Sequence, residues 1–159
     1  METGLISFIT MVSVFVSYIG FIILKYGVQS SVSESYYRLP RKHQFLFTLF
    51  CWGFAIPAMI GGDSALMFLA GSGIAFVGAA AAFKEKMDNW VHMTGAYFGI
   101  AMSQLSIYFD FGLLYVNIIS VSLAILITLL SLKWIKNQIW WVEMVAFLSI
   151  CYALGERVL

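Results

Sequence analysis

"GLISFITMVSVFVSYIGFIIL", residues 4–24, carries no charged side chain from end to end. A helix rises about 1.5 Å per residue and needs roughly 20 apolar residues to cross the hydrocarbon core of a bilayer. The stretch has that length, so a membrane-spanning helix is expected. Before it, Met1-Glu2-Thr3 lacks the basic segment of a secretory signal, and no small-residue cleavage pattern comes after it. The run is therefore expected to be retained.

Five more apolar runs lie at 44–60, 65–83, 90–109, 111–132 and 139–155. The expected fold class is all-α: a polytopic integral membrane helical bundle of six transmembrane helices, forming a single domain over 1–159. Long apolar runs leave no backbone group unpaired in lipid only as helices, and they lack the alternation of barrel strands. Pro57 is expected to kink or unwind the far end of the second span. Composition agrees: 62% of the residues are hydrophobic and 11% charged, whereas soluble domains carry about a quarter charged residues. The net charge is +1, and no basic face points to nucleic acid. Cys51 and Cys151 sit inside apolar runs at different depths and are expected as unpaired thiols.

Charge orients the threading. With the first helix running from outside to inside, the inner loops hold Lys25, Arg38, Arg41, Lys42, Lys84, Lys86, Lys133 and Lys136, leaving Arg157 outside. By the positive-inside rule both termini are expected outside. Asp63 and Asp110 fall in tight outer turns. The inner loop 25–43 is the substantial one. Its Ser31 and Glu34 have capping-box spacing, and Pro40 ends any helix begun there. With Tyr36, Tyr37 and a basic cluster, the loop is expected either as a short helix on the inner membrane surface or as a solvated linker.

Along the fourth span, Asp88, His92, Gly95, Gly99, Ser103, Ser106 and Asp110 share one stripe at about 100° per residue. A stripe through Ser64, Gly71, Ala75, Gly78 and Ala82 marks the third. Lipid gives helices no hydrophobic reason to associate, so small residues that permit close approach matter. Gly71, Gly78, Gly95 and Gly99 are thus helix-packing candidates, with the third and fourth spans as the pair. The same glycine faces offer a route to a homo-oligomer. Gln104 and Asn117, in mid-span, are expected to hydrogen-bond across helices.

Ionisable residues at the inner border supply the candidate chemistry: His92, Asp88, Glu143, Glu85, His43 and Glu34. In a bland reading Asp88 fixes the His92 tautomer, and Glu143 pairs with a lysine or snorkels. In a second, His92 and Glu143 line a polar cavity that binds a lipid headgroup or passes a proton or small ion. In a third, His43, His92 and carboxylates hold zinc for an intramembrane hydrolase, with Asp88 and Glu143 beside His92 as catalytic candidates. The chain contains no HExxH, HxxxH or CxxC spacing, no phosphate-binding glycine loop, and no base paired to Ser30, Ser31, Ser33 or Ser35. No cofactor is therefore expected, with zinc kept for the third reading.

Two segments carry a family resemblance. "SVSESYYRLPRKHQFLFTLF" (31–50) has a serine–acidic motif before a span opening on phenylalanines, and "VHMTGAYFGIAMSQLSIY" (91–108) a histidine before a Gly-Ala pair. In both, the chain resembles the DRAM/FRAG-type six-helix membrane proteins and their bacterial relatives of unknown function. The resemblance implies a regulatory or lipid-associated membrane protein and singles out Ser33, Glu34 and His92. In that group the first loop is drawn outside, whereas the charges here place it inside.

The function expected from the sequence is non-enzymatic: a small multi-pass protein that binds membrane lipids or moves a proton, ion or small solute. A zinc-dependent hydrolase acting on a lipid is the alternative.

Overall fold

The computed structural model describes residues 2–80, 87–131 and 134–159, for residues 87–89 and 91 as backbone alone. The described chain is all-α. Its helices are α1 (Glu2–Tyr26), α2 (Ser35–Arg38), α3 (Phe45–Gly62), α4 (Ala65–Ala80), α5 (Met87–Phe109), α6 (Leu114–Ser131) and α7 (Gln138–Val158), with a 3-10 turn at Arg41–His43 before α3. Four segments are long and apolar enough to cross a membrane: α1, Arg41–Gly62, α6 and α7. The other two long helices fall outside that set. Helix α4 has 16 residues, and α5 spends positions on His92, Ser103, Gln104 and Ser106.

The long helices run up and down, each antiparallel to the next. Gly53 meets Val14 and Gly61 meets Ser7 between α1 and α3, while Gly71 meets Met59 and Gly78 meets Cys51 between α3 and α4. Helix α7 closes the bundle against α1, where Gly155 meets Phe8 and Gly4 meets Val158. Helix α3 continues through Pro57 to Gly62, so the expected unwinding does not occur. A proline is tolerated in a span when neighbouring helices cover the freed carbonyl, and Pro57 is buried.

The core between α1, α3 and α7 is aromatic. Tyr18 stacks on Phe50 at 4.5 Å between ring centroids, and Phe147 meets Phe54 edge-on at 4.8 Å. Such pairs add about 0.5–1.5 kcal/mol each beyond area burial. The outward surface is apolar too, with Ile6, Ile9, Val16, Phe68, Phe76, Ile118, Ile125 and Leu129 all exposed.

Helix α4 uses two glycine faces. Gly71 and Gly78 point at α3, not at α5 as the sequence pairing expects. The α5 contact runs through Gly73, whose backbone lies against Gly95 and Gly99. The Trp52 indole and the Thr48 hydroxyl donate to the Ala75 and Gly78 carbonyls, at 3.1 and 3.0 Å, and tie α3 to α4.

Helix α6 touches the rest lightly. It is pinned by Gln104, whose amide nitrogen donates to the Ser149 hydroxyl (3.0 Å) and whose carbonyl oxygen accepts from Ser120 (2.7 Å) and Asn117 (3.2 Å). Gln104 and Asn117 thus bond across three helices, the interhelical pairing expected of them. Interhelical hydrogen bonds in membranes average about 0.6 kcal/mol each, so Gln104→Leu should cost roughly 1–2 kcal/mol and loosen α6. Proteolysis or amide exchange confined to α6 would register it; unchanged protection would show that the remaining contacts, Tyr115–Tyr152 and Ser131–Gln138 among them, suffice to hold the helix.

Candidate functional site

The segment between α1 and α3 is a folded cap rather than a linker or a free surface helix. Gly27 ends α1 in the left-handed region, φ 76°, and donates to the Ile23 carbonyl at 3.0 Å. The Gln29 amide then donates to the carbonyls of Tyr26 (2.8 Å) and Gly27 (2.9 Å), covering the helix end, while Arg38 Nε donates to its oxygen (3.0 Å). Ser31 Oγ accepts the Glu34 backbone N–H at 3.1 Å, the half of the capping box that the spacing anticipates. Helix α2 stops at Arg38, and Leu39 turns extended (ψ 138°) ahead of Pro40.

What draws the cap inward is its buried side. Val32 and Leu39 are each 3% exposed, Ser35 is 0% exposed, and the Ser35 hydroxyl pairs with the Tyr18 hydroxyl at 2.7 Å. The last helix completes the seat. Asn137 Nδ2 donates to the Val28 carbonyl, Trp140 N–H to the Ser30 carbonyl, and the Val32 N–H donates to Glu143 Oε2 at 2.6 Å. Among the described residues the partner of Glu143 is this cap amide, which would otherwise be buried without an acceptor. Of the inner-loop lysines with which it was expected to pair, Lys84, Lys86 and Lys133 lie outside the described residues. Among the described residues one donor nearby has no partner, the Nε1–H of the fully buried Trp140.

Above the cap lies a cavity of about 50 Å³ between α3, α4, α5 and α7. At about 10–15 Å³ per water it holds a few water-sized occupants. Val32 and Ser33 form its floor. Phe47, Phe50 and Phe147 wall it, Cys51 and Ser103 add polar atoms, and among the described residues Glu143 is the charged one that lines it.

The other sequence candidates are dispersed. His43 is exposed on the 3-10 turn, Glu34 is partly exposed on the cap, and neither lines the cavity. His92 is half-buried with its ring beside the Val77 backbone. Glu85 and the Asp88 side chain lie outside the described residues, so the Asp88–His92 pairing does too. Among the described residues no three His, Cys, Asp or Glu converge on a point that could hold a metal ion. Both cysteines are free thiols.

The sequence reading missed Ser35, Cys51 and Val32 as parts of this region. A signal for Val32 was present: Val28, Val32 and Leu39 are the apolar positions of an otherwise polar loop, and two of them are buried. Nothing in the local pattern marks Cys51 as a cavity wall.

Two open apolar grooves flank α6. One, of about 300 Å³, runs beside Ile100, Val121, Ile125 and Val142; the other, of about 480 Å³, runs beside Phe8, Val12, Ile119 and Leu148. Compared with known proteins, the chain matches no family model, no curated protein and no solved structure.

Proposed function

We propose that the chain is a non-enzymatic multi-pass membrane protein that crosses the bilayer six times with both termini outside. It passes a proton, ion or small solute by way of the Glu143 cavity. The observation that carries this reading is the cavity itself: a carboxyl group faces a small space amid apolar helices, with no basic side chain among the described residues of its wall. Ionisable residues within spans are costly and mark pathways more often than filler. The basic residues of the three loops argue for a cytoplasmic position of the cap and Glu143. Helices α4 and α5 complete the six spans, α4 by tilting little and α5 by turning its serines and glycines inward.

Lipid binding is the second reading, favoured by the grooves on either side of α6. Their apolar walls suit acyl chains, and their width leaves α6 room to move. The likeness to DRAM/FRAG-type proteins belongs to this reading. Self-association remains a proposal without a dedicated surface, because Gly71, Gly78, Gly95 and Gly99 all face neighbours within the chain.

Purified protein in vesicles tests the first reading. Proton entry followed with a trapped pH dye, or solute entry followed by osmotic swelling, should exceed that of protein-free vesicles. Glu143→Gln should reduce the rate at least fivefold, and His92→Ala by less. If neither assay rises above protein-free vesicles, or Glu143→Gln leaves the rate unchanged, the conduit is withdrawn. Orientation has its own check. A membrane-impermeant maleimide applied to intact cells should label Asp63→Cys and spare Lys42→Cys; labelling at position 42 would invert the molecule.

A further inference from the structure

We infer that the Glu143 cavity binds a small ammonium-type cation: ammonium itself or a short primary alkylammonium. The inference rests on reading that cavity as the cargo site and names the chemistry of the cargo.

Charge comes first. Glu143 lines the cavity, while among the described residues no lysine, arginine or histidine does. Its Oε2 is committed to the Val32 N–H, and its Oε1 has no hydrogen bond among the described residues. One carboxylate oxygen is thus fixed by the backbone and the other is uncommitted among the described residues. A carboxyl group with little water around it is held either neutral by a proton or paired with a cation, so the wall favours an occupant that brings positive charge over one that brings negative charge.

The kind of cation is set by the remaining atoms. Calcium and magnesium take about six to eight oxygen ligands, and potassium sites are built from rings of carbonyls. Among the described residues the side-chain oxygens of this wall are few: the Glu143 carboxylate and the hydroxyls of Ser33 and Ser103. Ser103 Oγ donates its own proton to the Ile100 carbonyl at 2.8 Å, so it has no proton to offer an occupant. An ammonium group needs only acceptors, because it brings the N–H donors itself.

The rest of the wall is aromatic, with Phe47, Phe50 and Phe147 around the space. Ring faces attract ammonium groups, most strongly when these are desolvated, and they pack against a short alkyl tail at the same time. Size limits the tail. A volume of about 50 Å³ suits a small occupant such as ammonium or methylammonium.

Equilibrium binding of radiolabelled methylammonium to the full chain, reconstituted in phosphatidylcholine nanodiscs, tests the inference. Saturable binding at one site per chain is expected, displaced by ammonium and not by tetramethylammonium or potassium. Glu143→Gln keeps an acceptor for the Val32 N–H, so it should fold while binding methylammonium at least tenfold more weakly. Phe147→Leu, which removes a ring without emptying the wall, should weaken binding severalfold. No saturable methylammonium binding by the unsubstituted protein overturns the inference, as does equal binding by Glu143→Gln. Glu143-dependent flux without methylammonium binding would overturn this ligand while leaving the conduit standing. Glu143-dependent binding without flux would uphold the ligand and remove the conduit.

Discussion

Gly73→Leu is expected to leave no stably folded bundle. A Cβ at Gly73 would lie 2.7 Å from the Gly95 carbonyl oxygen and equally close to the Gly99 Cα and nitrogen. All three are backbone atoms, so no side-chain rotation can relieve the clash, and α4 must move off α5. Even Gly73→Ala should lower stability by about 1–3 kcal/mol, the usual range for overpacking a tight contact. Leucine would force the helices several ångströms apart and forfeit the contact that substitutes for a hydrophobic drive in lipid. Size-exclusion chromatography and thermal unfolding in detergent would read the effect, with Gly20→Leu as the control, since nothing lies within 4 Å of a Cβ there. A Gly73→Leu protein as stable as that control would mean that α4 and α5 do not meet through this glycine.

The second large effect is expected from Glu143→Leu. Leucine fills similar space but offers no acceptor, so the Val32 N–H would be stranded in a buried setting at a cost of about 1–3 kcal/mol. The cap should then detach from α7, and amide exchange across residues 28–39 should accelerate roughly tenfold or more, a factor of ten corresponding to about 1.4 kcal/mol. Glu143→Gln retains a carbonyl oxygen and should keep the cap nearly as protected. The contrast between the two substitutions separates holding the cap from serving the cavity. Unchanged exchange in the leucine variant would show that Ser35, Leu39 and Asn137 suffice to seat the segment.

The helical architecture was legible because apolar runs of about 20 residues can pair their own backbone only as helices, and composition reveals such runs locally. Gln104 and Asn117 were legible for the same reason: a carboxamide in mid-span must find a partner, and only neighbouring helices supply one. Direction was harder. Gly71, Gly78, Gly95 and Gly99 announce close approach, yet nothing in their spacing says that Gly71 and Gly78 meet α3 while Gly73, off the expected stripe, meets α5. That choice depends on how α4 rotates between two partners, a tertiary quantity. The cap was least legible. Its burial comes from Asn137, Trp140 and Glu143, more than a hundred residues away in the chain, and no local pattern encodes an acceptor waiting there. Of the inner-border candidates whose side chains are described, only Glu143 reaches the cavity; His43 and Glu34 share its depth in the threading without sharing its face.

The contacts that seat the cap also set an order of manufacture. Val32 and Glu143 are separated by 111 positions, and Asn137 and the Val28 carbonyl by 109. Until α7 is made and packed in place, the Val32 N–H has no acceptor and the Val28 and Ser30 carbonyls lack their α7 donors, so these groups must remain hydrated. The seating of this loop therefore reports, at one place, that α7 has been added. A nascent chain halted before residue 137 would present an accessible, protease-sensitive loop, and synthesis of α7 would close it.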